Sequence, residues 1–165
     1  MSTSMHSHLL TPTALAAFAP AHHIHADALP WIPADTAGKS SKPLSFMPGN
    51  SGFVELLRME PGVVMPLHRH SGPIHAWNLT GSRRLCTGEL VGPGDYVYEP
   101  PGNTDWWKIE GDVPMVALVI VHGEVEFINA LGEVRGRATA ATQLQHYIAY
   151  CKQHGIEPVH SFVGQ

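Results

Sequence analysis

The chain has 165 residues, 44% of them hydrophobic, which is the length of one domain with enough apolar sequence to bury a core. Its formal charge of −4 rests on only ten Lys and Arg, with no basic cluster beyond Arg83-Arg84, and this argues against a nucleic-acid surface. No apolar run nears the roughly 20 residues of a membrane-spanning helix, and no Lys or Arg precedes Lys39 to open a signal peptide, so a soluble cytoplasmic protein without membrane partners is expected.

The two cysteines, Cys86 and Cys151, supply no disulfide framework and read as free thiols. Sixteen glycines and fourteen prolines favour many short strands joined by turns. Residues 1–28 read as a flexible arm, with a helical turn or two at Thr13–Phe18 and histidines at 6, 8, 22, 23 and 25. His23 and His25 have ligand-like spacing but no fixing Gly or Pro corners, so they read as solvated.

Residues 29–165 read as one domain. The rigid apolar segment Leu29–Pro33 is expected to cover the domain's exterior or an oligomer partner, and residues 34–43 to form a polar loop. Strands are expected at Phe53–Met59, then through Val63–Leu67 into the histidines, with Pro66 marking an edge or bulge. Further strands are expected at Ile74–Leu79, Arg83–Thr87, Tyr96–Glu99, Trp106–Ile109 and Met115–Val121, followed by a hairpin from Val125 to Val134. Of Trp106 and Trp107, one should be buried and one exposed. A helix is expected within 139–155, stopped by Gly155 and Pro158, with Leu144, Ile148 and Cys151 on one stripe beside Tyr147. The resulting class is all-β, a small barrel or jelly roll with one C-terminal helix.

The chemistry concentrates between Gly62 and Asp105. In a strand, residues i and i+2 share a face, so His68 and His70 project two imidazoles about 7 Å apart along it, within chelating reach of one ion. After Gly81 a second glycine-led stretch begins at Gly94, runs through Tyr96–Glu99, and turns at Pro100-Pro101-Gly102 towards Asp105. Two imidazoles and a carboxylate suit Fe(II), Mn(II), Ni(II) or Zn(II) alike, so the ligands do not select one metal.

Glu99 shares a strand face with Val97, opposite Tyr96 and Tyr98. A Glu turned into an apolar barrel needs a partner, either a ligand His or Arg83 or Arg84; turned outward, it would cap the turn. Trp77 shares a face with His75 and Leu79, and would either stack on a substrate or fill core.

The spacings Gly62, five residues, His68-Arg69-His70, and Gly94, five residues, Pro100-Pro101-Gly102, resemble the two motifs of the cupins. Within that superfamily, HRHSGPIHAW and YVYEPPGN resemble the group of 2,4'-dihydroxyacetophenone dioxygenase, acetylacetone dioxygenase and the ChrR-type cupin domain. Two positions depart from the motifs: His75 stands where the first has Glu, and Asp105 where the second has His. The resemblance implies a jelly-roll barrel and a divalent metal, Fe(II) first. His68, His70 and Asp105 would be its ligands, and His75 a fourth ligand or a catalytic neighbour.

It further implies catalytic roles for Glu99 and Arg84, and Trp77 and Tyr98 are expected to line the substrate pocket. The implied activity is O₂-dependent cleavage of a carbon–carbon bond beside a carbonyl in a small α-hydroxyketone or β-diketone. The alternative is a non-catalytic ChrR-like sensor. Such regulators carry a separate sigma-binding helical domain with its own zinc motif, for which residues 1–28 offer no Cys. Assembly as a homodimer or higher homo-oligomer is expected from the apolar Pro-Trp-Ile-Pro stretch.

Overall fold

A computed structural model describes residues 21–163. The strands in chain order are β1 (Ile32–Pro33), β2 (Lys39–Phe46), β3 (Gly52–Met59), β4 (Val64–His70), β5 (Ile74–Thr80), β6 (Ser82–Leu85), β7 (Leu90–Val91), β8 (Tyr96–Glu99), β9 (Thr104–Glu110), β10 (Met115–His122), β11 (Val125–Ile128) and β12 (Val134–Ala138). Helix α1 (Ala140–His154) and the short α2 (His160–Val163) follow. The strands form two six-stranded sheets, ordered β1-β2-β3-β10-β5-β8 and β12-β11-β4-β9-β6-β7, with every pairing antiparallel. This is the expected jelly-roll class.

Period-two alternation drives the closure. On β9, Asp105, Trp107 and Ile109 are buried while Thr104, Trp106 and Lys108 are exposed, which settles the Trp pair as expected. On β10, Met115, Ala117, Val119 and Val121 enter the core against Leu57 and Met59 of β3. Its continuous apolar sequence reflects an outer face, Val116, Leu118 and Ile120, that is half-buried rather than polar.

The loop expected over residues 34–43 is corrected from Lys39 onward, where β2 pairs in register with β3. Lys39 and Ser41 face the barrel cavity, so polar residues occupy both faces and no hydrophobic alternation marks the strand. Lys42, on the outer face, lies over the Trp31 ring at 5.0 Å and donates to the Ala26 carbonyl at 3.0 Å. Leu29 and Ile32 are buried against their own chain, so this segment covers its own barrel.

Two turns require glycine. At Gly81, φ is 62° and an added Cβ would lie 2.6 Å from the Pro114 carbonyl oxygen. Gly102 turns the Pro100–Asn103 corner at φ 81°. Helix α1 starts at a capping box formed by Thr139 and Thr142 and ends at Gly155 in the left-handed region, φ 64°. Its buried residues are Ala140, Tyr147 and Cys151. The expected stripe is corrected at Ile148, which is exposed, because Tyr147 takes the central position.

Cys86 is exposed, Cys151 is buried, and both are free. Among the described residues, no helix is long and apolar enough to cross a membrane. Thr13–Phe18, His6 and His8 lie outside the described residues. His22, His23 and His25 are exposed.

Candidate metal centre

The first motif places its histidines through a bulge. Met65 of β4 faces inward, the β4–β9 register then shifts between Met65 and His68, and alternation resumes with His68 and His70 buried inside the barrel. Pro66, which cannot donate to a ladder, sits in that shift, as its ring predicts. The intervening Arg69 faces outward and pairs with Glu126 through its Nε at 2.9 Å.

The second motif is tied to the first by the backbone. The Gly102 amide donates to the His70 carbonyl at 2.7 Å, and the His70 amide donates to the Asn103 carbonyl at 3.0 Å. The Pro-Pro-Gly corner is thereby clamped to a ligand strand, and Glu99, immediately before it, points into the barrel while Tyr96 and Tyr98 point out.

One ligand atom from each of His68, His70 and Glu99 lies within 4.8 Å of the others, and all three residues are buried. The His68 Nδ1 is 2.7 Å from the Pro66 carbonyl oxygen. A carbonyl only accepts, so Nδ1 carries the proton and Nε2 keeps its lone pair free. The His70 Nε2 is 2.6 Å from a Glu99 Oε, yet neither atom has a partner with hydrogen-bond geometry, nor has the His70 Nδ1. Buried, close-packed and unsatisfied, these donor atoms fit a shared divalent cation.

The electrostatics support that fit. Burial pulls the His68 imidazole below its ordinary value, which keeps it in the neutral, ligating form; the Pro66 carbonyl opposes this. Burial pushes Glu99 up. The closeness of His70 and the charge of Arg83 outweigh burial and hold this carboxyl below the usual range.

Arg83 is the buried cation beside the triad. It is 3% exposed, its guanidinium lies 4.6 Å over the Trp107 ring, and its Nε and one Nη have no partner. Burial lowers it, and the charges of Glu99 and Asp105 oppose that shift. Triad and Arg83 border a cavity of about 370 Å³ whose other walls include Met65, Trp107, Val119, Val121 and Phe127.

Several sequence expectations change here. Asp105 is buried and inward, directly across from His68 in the β4–β9 register, but it lies outside the converging group, and Glu99 supplies the carboxylate instead. Arg84 faces outward and grips Glu110 at 2.5 and 2.8 Å, so the inward position belongs to Arg83. His75 lies on the outer face of β5, its Nδ1 2.6 Å from the Tyr96 hydroxyl.

Trp77 and Tyr98, 54% and 52% exposed, lie on that outer face too, and none of these four borders the cavity. The strand phase causes the reversal: Ile74, Ala76 and Asn78 are the inward set of β5. Arg83 and Arg84 stand as alternatives in the sequence because an Arg-Arg pair hides its phase; Leu85, packed against the core two residues on, carries the signal that selects Arg83.

A family model described as the ChrR cupin-like domain matches residues 19–126. No curated protein matches the sequence. Among solved structures, an RmlC-like cupin protein from Ralstonia eutropha is similar with a TM-score of 0.79 at 22% identity, over 86% of this chain and 94% of that one. An acetylacetone dioxygenase from Acinetobacter johnsonii gives 0.67 at 18% identity, over 80% and 93%. The anti-sigma ChrR of Rhodobacter sphaeroides, in complex with SigE, gives 0.51 at 21%, over 59% and 51%. These likenesses show the cupin fold.

Proposed function

From the premise that this chain belongs to the ChrR cupin-like family, we propose that it is a non-haem, metal-dependent dioxygenase acting on a small α-hydroxyketone or β-diketone. The observation that carries this reading is the buried convergence of His68, His70 and Glu99 inside a largely apolar cavity. These three residues would hold Fe(II), which when bound would orient the substrate oxygens and O₂ on neighbouring sites. Both atoms of O₂ enter the two products, and the substrate supplies the electrons, so no external reductant is needed.

The chain's own residues do the rest. His68, its Nδ1 proton held by Pro66, presents one fixed lone pair. Arg83 brings two unpartnered N–H donors to a site largely closed to water, where they suit the oxyanion of an enolised substrate. The apolar walls strengthen that interaction by excluding solvent.

Oxygen-electrode assays with the Fe(II)-loaded protein, using acetylacetone and hydroxyacetone, test the reading. Substrate-dependent O₂ uptake that His68→Ala abolishes supports it. A tight metal site with no O₂ uptake across small diketones and hydroxyketones contradicts it, and would favour a metal-binding sensor, the alternative that the ChrR-type family supports.

The same reading extends to a homodimer built on the outer face of the first sheet. Trp77, Leu79, Tyr96 and Tyr98 are all about half exposed there, and Trp77 stands opposite Tyr96 in register. A contiguous aromatic face of this kind suits a second copy of the chain.

A further inference from the structure

We propose that the cavity holds a hydroxyl-binding subsite apart from the three converging ligands, in which one substrate hydroxyl accepts a hydrogen bond from Lys39 and donates one to Glu55. Lys39 of β2 and Glu55 of β3 stand on adjacent strands and border the same cavity as His68 and His70. The inference takes from the proposed function only what lies near His68; the two side chains argue for a ligand by themselves.

Both groups are half-buried and meet few protein partners. The Lys39 ammonium, with three donors, has only the Met65 sulfur at 3.8 Å and the Phe127 ring face at 5.1 Å. The Glu55 carboxylate has the Gln143 amide at a long 3.3 Å, with Ser41 nearby. Burial pulls Lys39 down and pushes Glu55 up, and the attraction between them opposes both shifts, yet no direct ion pair joins them. Two opposite charges that feel but do not touch each other leave room for a group that bridges them.

The charge balance selects the bridge. The pair is neutral as a whole, so a carboxylate drawn to Lys39 would also meet the like charge of Glu55. An ether accepts from Lys39 but leaves Glu55 without a donor. A hydroxyl does both. Asp35 also acts on Lys39, but it is exposed at the cavity mouth and screened by solvent. The Phe127 ring, 5.1 Å from the Lys39 Nζ and 6.2 Å from the His68 ring, stands between the two ends. A substrate spanning the cavity therefore carries its hydroxyl beyond that ring from the atoms beside His68.

The test uses the full-length metal-free protein and three small aromatic probes, phenol, anisole and benzoate. Binding is read by calorimetry and by the methyl NMR signal of Met65, assigned with Met65→Leu. Phenol is expected to bind about tenfold tighter than either analogue, the worth of one well-made hydrogen bond, and to shift the Met65 signal. Lys39→Met/Glu55→Leu removes both charges at similar volume, a change such pairs tolerate. It should erase the preference while Zn(II) affinity stays within about twofold of wild type.

Anisole binding as tightly as phenol in the wild type overturns the subsite, and so does an unchanged phenol preference in the double variant. Should the double variant misfold, the wild-type ranking decides alone. A protein that ranks phenol first but takes up no Zn(II) supports the subsite and overturns only the metal centre.

Discussion

Glu99 and Asp105 are both buried carboxylates on inward strand positions, and their different neighbours give them different work. Glu99 meets His70, whereas Asp105 acts on Arg83 from the opposite strand. The charge of Arg83 thus acts on both carboxylates without pairing directly with either, and removing it leaves both without their nearest buried cation. Arg83→Met is expected to destabilise the metal-free protein by about 3 kcal/mol in urea melts. Arg84→Met, which breaks a solvent-exposed pair, should leave the midpoint nearly unchanged.

His68 gives the pH dependence its sign. Its folded value lies below the ordinary 6.5, so the unfolded chain takes up this proton first as pH falls. The stability it confers is complete above 6.5 and is lost progressively below that value. Metal-free melting temperatures should therefore drop from pH 7 to 5.5, and His68→Phe should flatten that drop.

At the scale of elements, α1 and the segment after it close one side of the barrel. The Tyr147 hydroxyl accepts from the Val159 amide at 2.9 Å, and its ring meets Phe162 edge-on at 5.4 Å. Tyr147→Phe strands that amide and should cost about 1 kcal/mol; Thr139→Ala, which removes the cap, should cost a similar amount. Both are read from thermal melts.

This helix was legible in the sequence because Gly155, Pro158 and the periodicity agree. The strands of the two motifs were legible because glycine and proline punctuate them. The phase of a short polar strand was not. Arg83-Arg84 offers two equivalent side chains, Lys39–Lys42 has polar residues on both faces, and His75 stands where a motif suggested an inward ligand although Ile74 and Ala76 are the inward neighbours. Glu99 was recognised as inward-capable, but its convergence with His68 and His70 depends on the Gly102–His70 clamp, a contact across the fold that no local pattern encodes.

For the whole molecule, the sheets divide two roles between their faces. The inner faces carry the triad, Arg83 and the Lys39–Glu55 pair, while the outer face of the first sheet is aromatic. Static light scattering of the wild type should give about twice the 17.9 kDa chain mass, and Trp77→Glu/Tyr98→Glu should return it to one chain. A monomeric wild type at micromolar concentration would contradict the dimer.

The central claim is that His68, His70 and Glu99 hold one divalent ion inside the barrel. Anaerobic Fe(II) titration of the wild type, Glu99→Gln and Asp105→Asn tests it most directly. The account predicts one tight site per chain in the wild type and a loss of more than about 100-fold in Glu99→Gln, beyond what loss of a group behind the ligands costs. Asp105→Asn should stay within about tenfold of wild type. Full affinity in Glu99→Gln together with its collapse in Asp105→Asn would contradict the account and return the ligand role to Asp105.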